Sequence, residues 1–320
     1  MPTASDRLNE AIERIRDAVG EHACLRAADD IEPYLVDFRR LYRGATPLVV
    51  RPQSTAEVAA VLAICNEARV GVVPQGGNTG YCGGATPSEQ GNQIVLALQR
   101  MNRVRQIDPA NYSMNVEAGC VLADVTAAAE SADRLCPLSL GSEGSCQSGG
   151  NLSTNAGGLS ALKYGVTREL VLGLEVVLPD GRIVDGLTSL RKDNTGYDLR
   201  DLFIGAEGTL GVITAASLKL FPRPRTVETA FVAVSDSQAA VDLLSQLRQA
   251  SGDCVTSFEY LPRIAIDLTT AHIPGVSDPL DEVHDCYVLC ELSSPRNESF
   301  LRESLEQSLS AGIKDGRVLD

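Results

Sequence analysis

The stretch from Pro74 to Pro87, "PQGGNTGYCGGATP", constrains this chain more than any other. Five glycines between two prolines cannot fill a core, and glycine removes the Cβ that would keep a neighbour away from the backbone. The stretch follows an amphipathic helix, "STAEVAAVLAICNEARVG", and a short apolar strand, "VVP". It therefore begins at a strand end, where open α/β folds place ligands. Three further segments share its character: Gly141 to Gly158, "GSEGSCQSGGNLSTNAGG"; Lys163 to Gly165, "KYG"; and Gly205 to Thr214, "GAEGTLGVIT". Successive backbone N–H groups aimed one way form an anion-binding nest. With Ser142, Ser145, Asn151, Thr154 and Asn155 as neutral donors, the pattern describes a cradle for a pyrophosphate and a polar ring edge. One such loop alone reads first as a surface loop; four, each beside an apolar strand, argue for a site. A nucleotide P-loop is excluded because no Gly-Lys pair occurs in the chain. "GAEGTLG" has the wrong spacing for a dinucleotide fingerprint and runs into β-branched "VIT", which suits a strand.

Elsewhere, "SDRLNEAIERIRDAVG" predicts an amphipathic helix with Ser5 as N-cap and Gly20 as stop. Ser54 and Glu57 have the spacing of a capping box for the helix before the glycine loop, with Gly71 just past its end. "QIVLAL" and "YSMNVEAG" read as strands, "LADVTAAAESA" as a helix, and "LVLGLEVVLPDGRIVDG" as a hairpin turning at Pro179-Asp180-Gly181. Beyond "LFPRPR" the charge shifts: Met1 to Pro224 carries 21 Lys+Arg against 26 Asp+Glu, and Arg225 to Asp320 carries 7 against 16. The second region alternates strand and helix: "TVETAFVAV", "SQAAVDLLSQLRQA", "DCVTSFEYL", a helix through Ile264 to Thr270, "CYVLCELS", and a helix starting at Glu298. This predicts a thin sheet with helices on one side and an unpaired edge, and "IKDGRVLD" reads as the start of one more strand. The expected division is a helical segment over 1–43, a ligand-binding domain over 44–224 and a partial cap over 225–320.

A formal net charge of −14 argues against a nucleic-acid partner or an anionic membrane surface. Nine cysteines without CxxC spacing argue against a disulfide framework or metal finger. No apolar run is long enough to span a bilayer, and the N-terminus lacks the layout of a secretory signal, so the expected location is cytoplasmic.

The order "PQGGNTGYCGGATP … PLSLGSEGSCQSGGNLSTNAGG … KYG … LGLEVVLPDGRIV … KDNTGYDLRDLFIGAEGTLGVIT" resembles the FAD-binding domain of the vanillyl-alcohol oxidase (PCMH-type) superfamily. Within it, the likeness is to the D-lactate and D-2-hydroxyglutarate dehydrogenase group, which includes the glycolate oxidase flavin subunit. The resemblance runs from Tyr34 to Pro224 and implies an α+β fold: two α+β subdomains holding an extended FAD, followed by an incomplete ferredoxin-like α+β cap. Carried over by position, Pro74, Gly76, Gly77, Asn78, Thr79 and Gly80 match the pyrophosphate loop. Leu138, Gly141, Ser142, Gly144 and Ser145 match the segment beside the ribityl and isoalloxazine, and Gly149, Gly150, Asn151, Thr154, Asn155, Gly157 and Gly158 continue that wall. Glu207, Gly208 and Ile213 match the segment closing over the adenine side. Some members of the superfamily attach flavin through a histidine; Asn78 stands at that position here, and His22, His272 and His284 are all remote from the glycine loops, which implies non-covalent FAD. Cys82 and Cys146 are read as structural.

The resemblance also implies a substrate, a small 2-hydroxy acid, and an electron acceptor such as a quinone, a cytochrome or an electron-transfer flavoprotein. A homodimer is compatible with it. In the family, a divalent metal such as zinc and the base come from a GHxGDGNxH motif, with an arginine for the substrate carboxylate. That motif does not occur in these 320 residues, which points to a chain shorter than its family and leaves the catalytic residues unassigned. His272 and His284, with acidic neighbours, match no familiar metal spacing. Arg263 beside Glu259 and Tyr260, and the run Arg39, Arg40 and Arg43, read first as surface ion pairs and a basic turn. Tyr197 and Asp198 read as structural support packed against the cofactor wall. Two other readings share the fold: a flavin-binding electron-transfer or regulatory subunit without its own substrate site, and an oxidase of a sugar or aryl alcohol.

Overall fold

The computed structural model describes residues 3–296 and 299–320. Packing divides the chain into two units: Met1–Cys136, Leu140–Ala156 and Val166–Phe221 form the first, and Pro137–Ser139, Gly157–Gly165 and Pro222–Asp320 the second.

In the first unit, helix α1 (Ala4–Val19) is capped by Thr3 and not by Ser5, which lies already inside the first turn. Thr3 Oγ1 accepts the Asp6 N–H at 3.1 Å, and the Asp6 carboxylate accepts the Thr3 N–H at 2.9 Å. Helix α2 (Thr55–Ala68) begins at Ser54, whose side chain accepts the Glu57 N–H. The Glu57 carboxylate reaches back to Gln53 N–H, one residue short of a reciprocal box. Arg69, at φ 58°, takes the left-handed stop position expected near Gly71. Ile12, Ile15, Val58, Val61 and Leu62 of the two helices share one core with Ile94 and Leu96. Beneath lies a sheet of β1 (Cys24–Leu25), β2 (Val49–Val50), β3 (Gly71–Gln75) and β4 (Gln93–Ala97), ordered β1-β2-β4-β3, with β2 and β3 both parallel to β4.

The second sheet is antiparallel: β5 (Val104–Asp108), β6 (Ser113–Glu117), β7 (Val171–Val177), β8 (Ile183–Gly186) and β9 (Val212–Lys219), in the order β5-β6-β9-β7-β8. Helix α3 (Leu122–Ser131) packs Val125 and Ala129 with Met114 and Val116. A six-residue helix, α4 (Ser148–Ser153), sends Leu152 into a core with Leu174, Val176 and Ile213.

The second unit runs β10 (Thr226–Val234), α5 (Ser237–Ser251), β11 (Val255–Pro262), α6 (Arg263–His272), β12 (Cys286–Ser294) and α7 (Phe300–Lys314). Glu298, where the last helix was expected to begin, lies outside the described residues. The sheet order is β10-β12-β11, all antiparallel. Leu243 and Leu247 of α5 and Leu301 and Leu305 of α7 bury against Val288, Cys290 and Leu292. The outer edge of β10 is not left unpaired: Val318 bridges Val234, and Leu319 N–H donates to Ala233 O at 2.9 Å. With that last segment counted, the order is that of a β-α-β-β-α-β ferredoxin-like unit.

Candidate cofactor site

The glycine loop is closed at its neck by its own first residue. Gln75, buried at the end of β3, donates from Nε2 to Ala85 O at 2.7 Å and to Tyr34 O at 3.0 Å. Asn78, in the left-handed region at φ 52°, donates from Nδ2 to Val36 O at 2.8 Å. Between these ties, the backbone N–H groups of Gly76, Gly77, Asn78, Thr79 and Gly80 find no acceptor among the described residues. Five consecutive amides without a protein acceptor are donors open to an anion.

The glycines separate into two kinds. At Gly77 a Cβ would lie 2.0 Å from Ser145 O, at Gly149 2.7 Å from the Ala118 Cβ, and at Gly208 (φ +77°) 3.1 Å from the Pro74 ring. These three are glycine because the chain itself presses on them. At Gly80, Gly141, Gly144 and Gly150, a Cβ would meet no heavy atom within 4 Å, and none of the four has positive φ. The other open glycines described, Gly196, Gly252, Gly275 and Gly316, all have positive φ and serve turns. The fold therefore gives no reason for glycine at those four positions, and all four lie in the cradle segments. Gly150 N sits 3.6 Å from where a Gly76 Cβ would be, so the first two glycine segments border one another. Gln147 Oε1 lies 3.6 Å from that same point, buried and without a hydrogen-bond partner among the described residues. Unpaired donors, an orphaned carboxamide oxygen and backbone that a side chain would obstruct fit FAD's pyrophosphate and polar ring edges.

The remaining expected residues are placed as follows. Ser142 O accepts the N–H groups of Ser145 (2.9 Å) and Cys146 (2.8 Å), which shapes the second segment. Asn151 is buried, with Nδ2 3.5 Å from the Cys146 Sγ. Thr154 Oγ1 donates back to Gly150 O at 2.9 Å, and Asn155 Oδ1 accepts the Arg168 N–H at 2.9 Å, so both side chains shape the wall from within. Glu207, at φ 52°, is held by its N–H to Ser153 O at 2.8 Å. Its carboxylate lies 3.4 Å from the Cβ position of Gly84, which brings the fourth segment to the first. Ile213 is a correction: its side chain is buried in the core with Leu152 and Val176, and it stands opposite Val176 in the sheet. Leu138, Gly157 and Gly158 belong to the second unit, where a Gly158 Cβ would lie 2.4 Å from Ser139 O.

Sequence reasoning missed Gln75 and Gln147, two amides whose burial only the fold reveals. It also missed a charge network in the second sheet. Glu117 is fully buried and receives Arg103 Nη2 at 2.8 Å and Arg105 Nε at 3.2 Å; Arg105 continues to Glu175 at 3.1 Å. Thr55 Oγ1 (2.6 Å) and Thr214 Oγ1 (2.8 Å) also donate to Glu175, tying α2 to the second sheet. Burial pushes both carboxyls up, but the bonds from Arg103 and Arg105 to Glu117, and from Arg105, Thr55 and Thr214 to Glu175, hold each below its usual range. Tyr197 is a second correction: its ring is 95% exposed and packs against no wall, and Asp198 is paired with Arg200. In the second unit, Arg263 is committed to Asp267 at 2.8 Å and Tyr287 Oη at 2.7 Å, as well as to Asp278.

This cradle and its sheets define an FAD-binding flavoprotein. Residues 46–186 match the family described as "FAD binding domain", and residues 223–318 match "FAD linked oxidases, C-terminal domain". The chain thus carries an FAD-binding domain followed by a C-terminal domain of the FAD-linked oxidase type, and its cofactor is FAD. It is 38% identical over 320 residues, all of this chain and 57% of the relative, to a protein named probable D-2-hydroxyglutarate dehydrogenase, mitochondrial, from Oryza sativa subsp. indica. It is 43% identical over 294 residues, 91% of this chain and 53% of the relative, to D-2-hydroxyglutarate dehydrogenase, mitochondrial, from Bos taurus. The chain thus spans little more than half the length of these curated relatives. Among solved structures it superposes on p-cresol methylhydroxylase with substrate bound, with a TM-score of 0.78 at 19% identity, covering 98% of this chain and 65% of that one. A second is alkyldihydroxyacetonephosphate synthase, with a TM-score of 0.80 at 20% identity over 97% and 62%. At these identities the structures speak for the fold alone. The expected cytoplasmic location is corrected: these curated relatives are named mitochondrial. The reasoning rested on the lack of a bilayer-spanning run and of a secretory-signal layout, neither of which distinguishes one compartment inside the cell from another.

Proposed function

We propose that the protein takes part in the FAD-dependent oxidation of a D-2-hydroxy acid to its 2-oxo acid, with D-2-hydroxyglutarate the first substrate to test. The relatives supply the substrate class, since proteins 36% to 43% identical are named D-2-hydroxyglutarate dehydrogenases. The observation that carries the flavin half is the row of free amides from Gly76 to Gly80, together with open glycines that relieve no clash and carry no positive φ. Bound FAD would supply a two-electron acceptor for the hydride on the hydroxyl-bearing carbon.

The chain's own groups bind and orient. The Gly76 to Gly80 amides neutralise pyrophosphate charge without a lysine, and Gly141, Gly144 and Gly150 leave backbone approachable along the cofactor's length. Gln147 Oε1 is free to accept a hydrogen bond from a ring N–H. The cofactor is held without a covalent bond: the Asn78 amide is committed to Val36 O, and Cys146 is buried beside Asn151. Electrons then leave to a quinone, a cytochrome or an electron-transfer flavoprotein. The test is anaerobic addition of D-2-hydroxyglutarate, D-lactate and glycolate to the FAD-loaded chain. Bleaching of the flavin bands by D-2-hydroxyglutarate ahead of the other two is expected; bound flavin that none of the three reduces would overturn the substrate assignment.

A further inference from the structure

Beside the glycine loop, a short turn presents an unusual surface. Asp37 is buried, and its carboxylate accepts the N–H groups of Arg39 (3.0 Å) and Tyr42 (2.6 Å). Its own N–H donates to Tyr42 O at 3.1 Å, and Val36 bridges Arg43, so the turn is built and held. It is joined to the cofactor loop twice: Asn78 Nδ2 bonds Val36 O, and the Tyr42 ring packs so close to Gly83 that a Cβ there would lie 2.6 Å away. On this frame Phe38 (63% exposed), Leu41 (67%), Tyr42 (50%) and Tyr81 (56%) stand in solvent. Phe38 and Tyr81 lie 5.9 Å apart, and the Arg39 guanidinium stacks 4.1 Å from the Tyr81 ring centre. Arg43 is satisfied by Glu32 at 2.7 Å, whereas Arg39 and Arg40 reach no carboxylate among the described residues. Arg39 and Arg40 therefore present unpaired positive charge among exposed aromatics on a chain of formal charge −14.

Aromatic rings and arginine are the side chains that dominate protein interfaces, and unpaired positive charge selects an acidic partner. The position selects its chemistry, since a protein seated here touches the loop that holds the flavin. We infer that the turn from Asp37 to Arg43, together with Tyr81, is the docking surface for an acidic electron-accepting protein. Two electrons leave, one to each of two acceptor molecules, with protons released to solvent. The inference rests on the electron-transfer half of the proposed function and not on its substrate.

The test uses plastocyanin, a small acidic one-electron protein, as probe, with FAD-loaded chain reduced chemically so that no hydroxy acid is needed. Reoxidation is followed at low ionic strength, and binding of copper-depleted plastocyanin to the flavin-free chain is measured separately by calorimetry. The double variant R39E/R40E is expected to slow reoxidation by about 10-fold or more, and Phe38→Ala to slow it with no change in net charge. The variant R182E/R248E, with the same change in net charge at two other exposed sites, is expected to slow it far less. Calorimetric binding should weaken in the same order, and salt should erase the difference. Equal slowing by the two double variants would overturn the inference. So would loss of FAD from R39E/R40E, which would assign the arginines to the cofactor, or a dimer that dissociates on Phe38→Ala, which would assign the patch to a second copy.

Discussion

The glycines of the two units do different work. In the second unit, Gly252, Gly275 and Gly316 have positive φ at helix ends and turns, and Gly312 admits the Val318 side chain against α7. Each is explained by its own neighbourhood. In the first unit, Gly77, Gly149 and Gly208 are explained the same way, but Gly80, Gly141, Gly144 and Gly150 are not. A glycine that costs backbone entropy without relieving a clash or a positive φ marks a place where something outside the chain must approach. The comparison assigns ligand holding to the first unit and self-contained packing to the sheet of the second.

Four experiments bear on that contrast. The largest effect is expected from Leu247→Ala, which removes a fully buried side chain of the second unit's core. It should cost about 2–5 kcal/mol in that unit's unfolding while leaving FAD affinity within about twofold. A parallel loss of FAD affinity, measured by titration, would break the division of labour. Next is Gly77→Ala, whose Cβ would meet Ser145 O at 2.0 Å. It should destabilise the flavin-free chain by about 1–3 kcal/mol in urea unfolding and also weaken FAD binding, because the loops must part.

Acid supplies the third. Glu117 and Glu175 have folded pKa values held below their usual 4.5. Their contribution to stability is therefore complete above pH 4.5 and lost as pH falls through the lower folded values. Chemical denaturation from pH 6 downward should show the first unit weakening below about pH 4.5. Glu117→Gln should flatten that dependence, and an unchanged slope would remove the network from the account. The smallest effect is the sharpest in sign. Gly144→Ala should raise the stability of the flavin-free chain by about 0.4–1 kcal/mol, because nothing opposes its Cβ, while lowering FAD affinity.

Much of this was legible in the sequence because it was written in local chemistry. Glycine density, strand ends and the Pro179-Asp180-Gly181 turn are read residue by residue, and the resemblance spans several motifs in fixed order. What was not legible depended on distant partners. Strand β5, "VRQID", was not read from the sequence because its charges break strand patterning; Arg105 turns to Glu117 of β6 and to Glu175 of β7. Helix α4 forms from "SGGNLS", a loop by propensity, because Gly149 can lie flat on Ala118 and Leu152 has a core to enter. Ile213 shares a motif with Glu207 and Gly208, yet strand alternation turns it inward. The N-cap moved from Ser5 to Thr3 because Asp6 completes the reciprocal pair only with Thr3. Gln75 and Gln147 carry no sequence signal, since an amide's burial is a property of the fold.

The central claim is that the free amides from Gly76 to Gly80 and the open glycines around them hold FAD. Titration of the flavin-free chain with FAD, followed by quenching of flavin fluorescence and by calorimetry, tests it most directly. Saturable binding of one FAD per chain, weakened at least 10-fold by Gly144→Ala or Gly150→Ala in an otherwise stable chain, is the predicted result. A folded chain that binds no FAD, or binds it equally well with alanine at both positions, would contradict it.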